Sequence, residues 1–164
     1  MEQAKPGAVK GANEELLQLV SFSVGGEEFG VDILKVQEIN RMLNVTHVPN
    51  APDYVDGVIN LRGRVIPVVN IRRRFGMDRR ELDKSTRIVV VELAGQVVGF
   101  LVDGVREVLR IPKSIIEPPP ALLGARKGDY ITAVGKLEDR LLILLDLERI
   151  LSMDETESLQ SIAV

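Results

Sequence analysis

Residues 20–39 read VSFSVGGEEFGVDILKVQEI, and residues 89–108 read VVVELAGQVVGFLVDGVREV. Aligned end to end, they place Gly26 on Gly95, Gly30 on Gly99, Val36 on Val105 and Glu38 on Glu107. A second pair follows in the same order. Residues 58–75, VINLRGRVIPVVNIRRRF, align with residues 134–151, VGKLEDRLLILLDLERIL, putting Leu61 on Leu137, Arg64 on Arg140, Asn70 on Asp146 and Ile71 on Leu147. Two motifs repeated in one order indicate tandem duplication of a single module.

The module is rich in strands. Leu19 to Val24 alternates apolar and small polar residues, Gly25-Gly26-Glu27-Glu28 turns the chain, and Phe29 to Ile33 returns, which predicts a hairpin. Leu34 to Ile39 continues as a further strand or bend, with Gly30 at a bulge or close approach, and Asn40 to Tyr54 is read as a loop. Val58–Leu61 and Val65–Val69 flank Arg62-Gly63-Arg64 as a second hairpin. Pro67 lacks an N–H, so its strand is expected at an edge or with that position facing outward. Asn70 is a predicted N-cap for a short helix, Ile71 to Phe75, that ends at Gly76.

The second copy repeats this plan. Ile88–Leu93 and Val97–Val102 are near-continuous apolar runs, which predicts burial on both faces. Pro118-Pro119-Pro120 and Gly124 to Gly128 form its loop, Ile131–Leu137 and Arg140–Leu145 its second hairpin, and Asp146 caps Leu147 to Leu151. Two sets of about five short strands suggest two compact barrels, since closure removes open edges. The expected organisation is an all-β fold: a disordered segment at 1–16, one module at about 17–85 and a second at about 86–152. Short helices stand at the module ends, and 153–164 forms a tail or a short amphipathic helix carrying Leu159 and Ile162.

Composition narrows the chemistry. The chain has 164 residues, no cysteine and one histidine, His47. Disulfides, thiolate metal sites and Cys-His catalysis have no raw material, and a Ser-His-Asp system would have to rest on the lone His47, which is read as an ordinary loop residue. Neither Gly25-Gly26 nor the 124–128 segment precedes a helix as a phosphate cradle must. No catalytic residue, metal or cofactor is assigned. A paired-carboxylate hydrolase remains a distant alternative, because aromatics for a sugar cleft amount to 4% of the chain. The start of the chain lacks the apolar run of a signal peptide and no apolar run approaches a membrane span, so the expectation is a soluble cytoplasmic protein without direct membrane insertion. The net charge of −3 conceals Arg62, Arg64, Arg72, Arg73, Arg74, Arg79 and Arg80, which share their stretch with one acid, Asp78. A small-barrel nucleic-acid binder using this 62–80 cluster is therefore an alternative, set against a basic face for an acidic protein.

The stretch from Gly57 to Ile71, GVINLRGRVIPVVNI, resembles the signature of the CheW family of bacterial chemotaxis coupling proteins. Phe29 to Ile39, Val98 to Val105 and Asp139 to Asp146 resemble further blocks of that family, in its order, so the likeness spans about Leu17 to Leu151. The resemblance implies two SH3-like five-stranded barrels around a joint core. It also implies a non-catalytic scaffold that joins the cytoplasmic tips of methyl-accepting chemoreceptors to the regulatory domain of the histidine kinase CheA, with ring contacts to other couplers, at membrane-associated receptor arrays. A CheV-type coupling domain or the kinase's own regulatory domain is the family alternative, although each implies a further domain. By position in the family motif, Val36, Glu38, Ile39, Val98, Val105 and Val108 form the expected receptor site. Met42, Leu43, Arg62 and Gly63 form the expected kinase site, Glu38 is the natural ion partner of Arg62, and Gly57, Asn60 and Leu61 are structural turn positions.

Overall fold

The computed structural model describes residues 15–119 and 130–151. The expectations for 1–14, for the loop from Pro120 onward and for the 153–164 tail lie outside the described residues. Order is already established at Leu16, where the first strand begins, so the lead-in placed at 1–16 is too long.

Strands β1 (Leu16–Val24) and β2 (Glu27–Asp32) pair antiparallel around Gly25-Gly26, whose φ angles of 62° and 86° supply the left-handed pair a two-residue hairpin needs. A 3-10 turn, Ile33–Lys35, is capped by Asp32 and leads into β3 (Val36–Arg41), so the strand reaches two residues into the segment read as a loop. β4 (Val55–Leu61), β5 (Arg64–Asn70) and α1 (Ile71–Arg74) follow. β6 (Arg87–Leu93), β7 (Gln96–Val102), β8 (Gly104–Pro112) and the two-residue β9 (Ile116–Glu117) come next, and β10 (Ile131–Lys136), β11 (Leu141–Leu145) and α2 (Leu147–Ile150) complete the order. Both helices carry the predicted caps: the Asn70 side chain accepts from the Arg73 N–H at 3.3 Å, and Asp146 from the Glu148 N–H at 3.0 Å.

The strands do not divide at 85/86. One sheet has the order β8-β1-β2-β11-β10-β9 and the other β3-β6-β7-β5-β4. Each therefore takes the first hairpin from one copy and the remaining strands from the other. Superposed through the repeat, β8-β1-β2-β11-β10 is the counterpart of β3-β6-β7-β5-β4. The short turn after β2 sends β3 across to β6 instead of back onto its own hairpin, and β8 crosses likewise to β1. The first sheet also gains a sixth strand, β9, beyond the five expected. β5 is an internal strand, so of the two options read from Pro67 the edge position is not taken. Its parallel ladder with β7 begins at Val68, one residue past the missing donor.

Exchange of strands creates three apolar layers. Leu19, Ile111, Ala133, Leu142 and Leu144 fill the first barrel. Ile59, Leu61, Ile66, Val68, Ile88, Val90, Val97 and Leu101 fill the second. Between them lies a shared core built from both sheets, including Val20, Phe22, Val24, Phe29 and Val31 against Val89, Val91, Val98, Phe100 and Val102. Successive residues of β6 thus point alternately into the second barrel and into the shared core, which is why Ile88–Val91 is apolar without alternation, while Glu92 at the strand end is exposed. The same double burial overrides the half-polar pattern read in β1, where even Ser21 is fully buried. Each such buried branched side chain stabilises the fold by about 1.5–3 kcal/mol. Phe29 of one barrel meets Phe75, which follows α1, at 5.4 Å, and Phe75 stacks on Tyr130 at 5.3 Å, so rings also tie the halves together.

The repeated glycines Gly30 and Gly99 face the two barrel interiors. A Cβ on Gly99 would stand 2.7 Å from Ile88 Cγ2, and one on Gly30 3.2 Å from the Leu142 and Leu144 methyls. A side chain would clash outright at Gly99 and crowd leucine methyls at Gly30.

Candidate functional site

The β3 strand carries a bulge between Val36 and Glu38, with Val36 opposite Val91 and Glu38 opposite Val90. Val36 leans on the shared core, Glu38 is half-buried and Ile39 is exposed. Across the barrel mouth, the β4–β5 turn holds Arg62 at φ 53° and Gly63 at φ 87°. The Gly63 N–H donates to Asn60 Oδ1 at 2.8 Å, which fixes the turn. That geometry carries the Arg62 guanidinium to Glu38 in a two-pronged pair, Nη1 to Oε1 at 3.2 Å with a short Nη2 to Oε2 contact. The hydrogen bonds from Arg62 hold the Glu38 carboxyl below its usual range, and Glu38 in turn raises Arg62. Glu38 therefore stays ionised beside exposed apolar surface.

The expected receptor residues separate by burial. Val36 and Val105 are half-buried against the same shared core, while Ile39 and Val108, the latter 57% exposed, stand free. Val98 is 0% exposed and belongs to the core, which corrects its assignment to a binding face. β7 lies between β6 and β5 and is covered on both faces, as its unbroken apolar run implied.

The expected kinase residues separate too. Arg62, Gly63 and Leu43 are exposed, but Met42 is half-buried on the interior of the second barrel and acts as packing. Leu61 is a buried strand residue, not part of the turn. Gly57 lies inside β4, where its φ of 148° and a bulge let the chain pass beneath Thr46. Thr46 and Val58 exchange backbone hydrogen bonds of 2.8 and 2.9 Å.

Sequence reasoning missed the matching face on the other barrel. Through the repeat, Glu38, Ile39, Arg64 and Val65 correspond to Glu107, Val108, Arg140 and Leu141. Arg140 Nη2 reaches Glu107 Oε2 at 2.9 Å and its Nε reaches the buried Glu28 at 2.5 Å, joining β8, β2 and the β10–β11 turn. Leu141 is 60% exposed beside it, and Val65 is exposed on the second barrel. Each barrel thus presents branched apolar residues next to an arginine–glutamate clasp. The alignment of Val65 with Leu141 already held this signal.

Apart from exposed Arg64, the arginines of the 62–80 segment are engaged in internal pairs. Arg72 forks onto Asp103 with Nε–Oδ1 and Nη2–Oδ2 distances of 2.9 Å, and Arg80 reaches the same carboxylate at 3.1 Å. Arg73 donates to Asp53 at 2.8 Å, and Arg79 pairs with Asp56 and with the Asp53 carbonyl at 2.7 Å. Arg74 donates to the Ile150 carbonyl at 2.8 Å with its guanidinium 5.5 Å from the Tyr54 ring centroid. A continuous basic track for nucleic acid does not survive this pairing. Among the described residues no group of three or more His, Cys, Asp and Glu side chains could hold a metal, and no helix is long and apolar enough to cross a membrane.

Comparison with known proteins agrees in extent and order. A family model described as a CheW-like domain matches residues 18–155. The chemotaxis protein CheW of Klebsiella aerogenes is 38% identical over 146 residues, covering 89% of this chain and 88% of that protein. The chemotaxis protein CheW of Helicobacter pylori is 38% identical over 153 residues, covering 93% and 92% respectively. The crystal structure of the scaffolding protein TtCheW from Thermoanaerobacter tengcongensis superposes with a TM-score of 0.76 at 33% identity, covering 86% of this chain and 96% of that one.

Proposed function

The chain belongs to the CheW-like domain family, and from that premise we propose that it is a non-catalytic chemotaxis scaffold coupling chemoreceptor tips to the histidine kinase CheA. The observation that carries this reading is that both barrels expose branched apolar residues beside an arginine–glutamate clasp, Arg62–Glu38 on one and Arg140–Glu107 on the other. One receptor tip can thus lie against both while a second partner takes the Arg62-Gly63 end. A coupler must hold two macromolecules at once in fixed relative positions. Glu38, Ile39, Arg62 and Val65 offer one face, and Glu107, Val108, Arg140 and Leu141 the other. A shared core built from both sheets sets the angle between them.

Each face has the chemistry of a recognition patch: branched apolar side chains supply dry contact, and the clasped charges steer and orient the partner. In this reading Val36, Ile39, Val105 and Val108 meet the receptor's helical tip with Glu38 at their rim, and Leu43 with the Arg62-Gly63 turn meets the kinase's regulatory domain. The protein works in the cytoplasm at receptor arrays, where it alters the kinase by fixing its position.

The residue assignment is checked with Ile39→Glu and Val108→Glu in pull-downs on a receptor cytoplasmic fragment. Both side chains are exposed, so melting temperatures should stay within about 2 °C of the parent. Receptor capture should fall at least about tenfold in each, since a carboxylate would be desolvated in the interface. Unchanged capture by a folded variant would remove that residue from the site. Arg62→Ala should likewise lower capture of CheA with the melting temperature preserved, because an exposed pair contributes little to the fold.

A further inference from the structure

Arg41 and Arg87 stand directly opposite each other in the β3–β6 ladder. Cross-strand partners share one face of a sheet, and like charges there oppose pairing. Lys84 lies beside them, and the three cations line an open surface pocket of about 490 Å³ together with Met42, Asp83 and Thr86. Among the described residues neither Arg41 nor Lys84 has a carboxylate partner, and Arg87 donates only to the Lys84 and Thr86 carbonyls, at 2.6 and 2.9 Å. Asp83, the one acid of the pocket, is already engaged by Arg80, the Ser85 N–H and Thr86. In a chain of net charge −3, whose other clustered arginines are mostly paired, this triad is an exception.

We propose that Arg41, Lys84 and Arg87 form a docking site for an acidic segment of a protein partner. Two guanidinium forks on one face suit carboxylates bidentately, and an incoming pair of acids relieves the repulsion that the free ladder contains. Exposed Leu43 next to the pocket offers apolar contact to a residue between the acids. No aromatic ring lines the pocket, so the stacking surface that a single-stranded nucleic acid needs is missing. The inference does not depend on the coupling role, since it concerns the surface of this chain alone.

The test uses a fluorescent peptide of alternating glutamate and leucine, followed by anisotropy at low and moderate salt. The parent protein should bind with an affinity that falls as salt rises, and Arg41→Glu/Arg87→Glu should weaken binding at least about fivefold. Arg64→Glu/Arg110→Glu, with the same change in net charge on exposed arginines elsewhere, should leave it within about twofold. Equal loss in both doubles, no binding by the parent, or tighter binding of inorganic phosphate or a single-stranded oligonucleotide of matched charge would overturn the proposal. A second readout is independent of the peptide. Arg41→Gln should raise the melting temperature of the free protein by about 1–2 °C by removing the opposed charge, and saturating peptide should stabilise the parent more than this variant. A drop in melting temperature would show that Arg41 serves the fold, and would contradict the assignment.

Discussion

Gly57→Ala should cost about 3 kcal/mol or more and lower the melting temperature by about 6–12 °C. A Cβ at this position would stand 2.1 Å from the Thr46 carbonyl oxygen and 2.9 Å from Val45 Cγ1, at a φ of 148° that side chains avoid. Neither neighbour can withdraw cheaply, because Thr46 is held to Val58 by two backbone hydrogen bonds and Val45 packs on the interior of the second barrel. Relief would require lifting the 42–54 loop off the barrel mouth. Gly63 provides the comparison: it also has positive φ, at 87°, but nothing lies within 4 Å of an added Cβ. Gly63→Ala should therefore cost only about 1 kcal/mol of backbone strain. Equal losses for the two variants by thermal denaturation would refute the steric account of Gly57.

Asp103→Ala should cost about 2–4 kcal/mol, because it strips the partner from two guanidinium groups and one backbone N–H at once. The carboxylate is 12% exposed and Arg72 20% exposed, so water replaces these bonds poorly. Asp103 follows β7, receives Arg72 from α1, and accepts the Gly25 N–H at 2.8 Å from the β1–β2 turn, thereby linking elements of both sheets. Burial alone would push its carboxyl up. The hydrogen bonds from Arg72 and Gly25, with the charges of Arg72 and Arg80, more than offset this and hold it below the ordinary aspartate value. The folded chain thus binds this proton less readily than the unfolded chain, whose aspartates titrate near about 3.9. Its contribution is fully present above that pH and is lost as pH falls through the lower folded value. Melting temperature should be flat with respect to this group from pH 7 to 5 and decline below about pH 4. Asp103→Asn should be less stable at neutral pH and lose stability less steeply in acid. A parallel acid decline in the parent and Asp103→Asn would exclude Asp103 as its source.

Much of the architecture was legible because duplication wrote each element twice. Hairpins, helix caps and the paired glycines Gly30 and Gly99 all stood out as coincidences between copies before any packing was known. The exchange of strands was not legible. Both copies have the same apolar pattern, so local periodicity cannot say whether β3 returns to β2 or crosses to β6. The connection decides it, and a three-residue 3-10 turn leaves no intrinsic signature in hydropathy.

The site divided along the same line. The Glu38–Arg62 pair is legible through the family resemblance of the segments that carry both residues, whereas the acids that neutralise the arginine segment, Asp53, Asp56 and Asp103, lie outside residues 62–80. Val98 and Val108 look alike as valines in apolar strands, yet one lies in a strand covered on both faces and the other is exposed. Sheet order separates them, and sheet order is a tertiary property.

The most direct measurement mixes the purified chain with a chemoreceptor cytoplasmic fragment and CheA, follows assembly by size-exclusion chromatography, and assays kinase autophosphorylation on the same sample. Separate receptor and kinase surfaces on one pair of barrels predict a single complex holding all three proteins, with an autophosphorylation rate different from that of CheA alone. Mutually exclusive binary complexes, or a ternary complex whose kinase rate is unchanged, would contradict the coupling role.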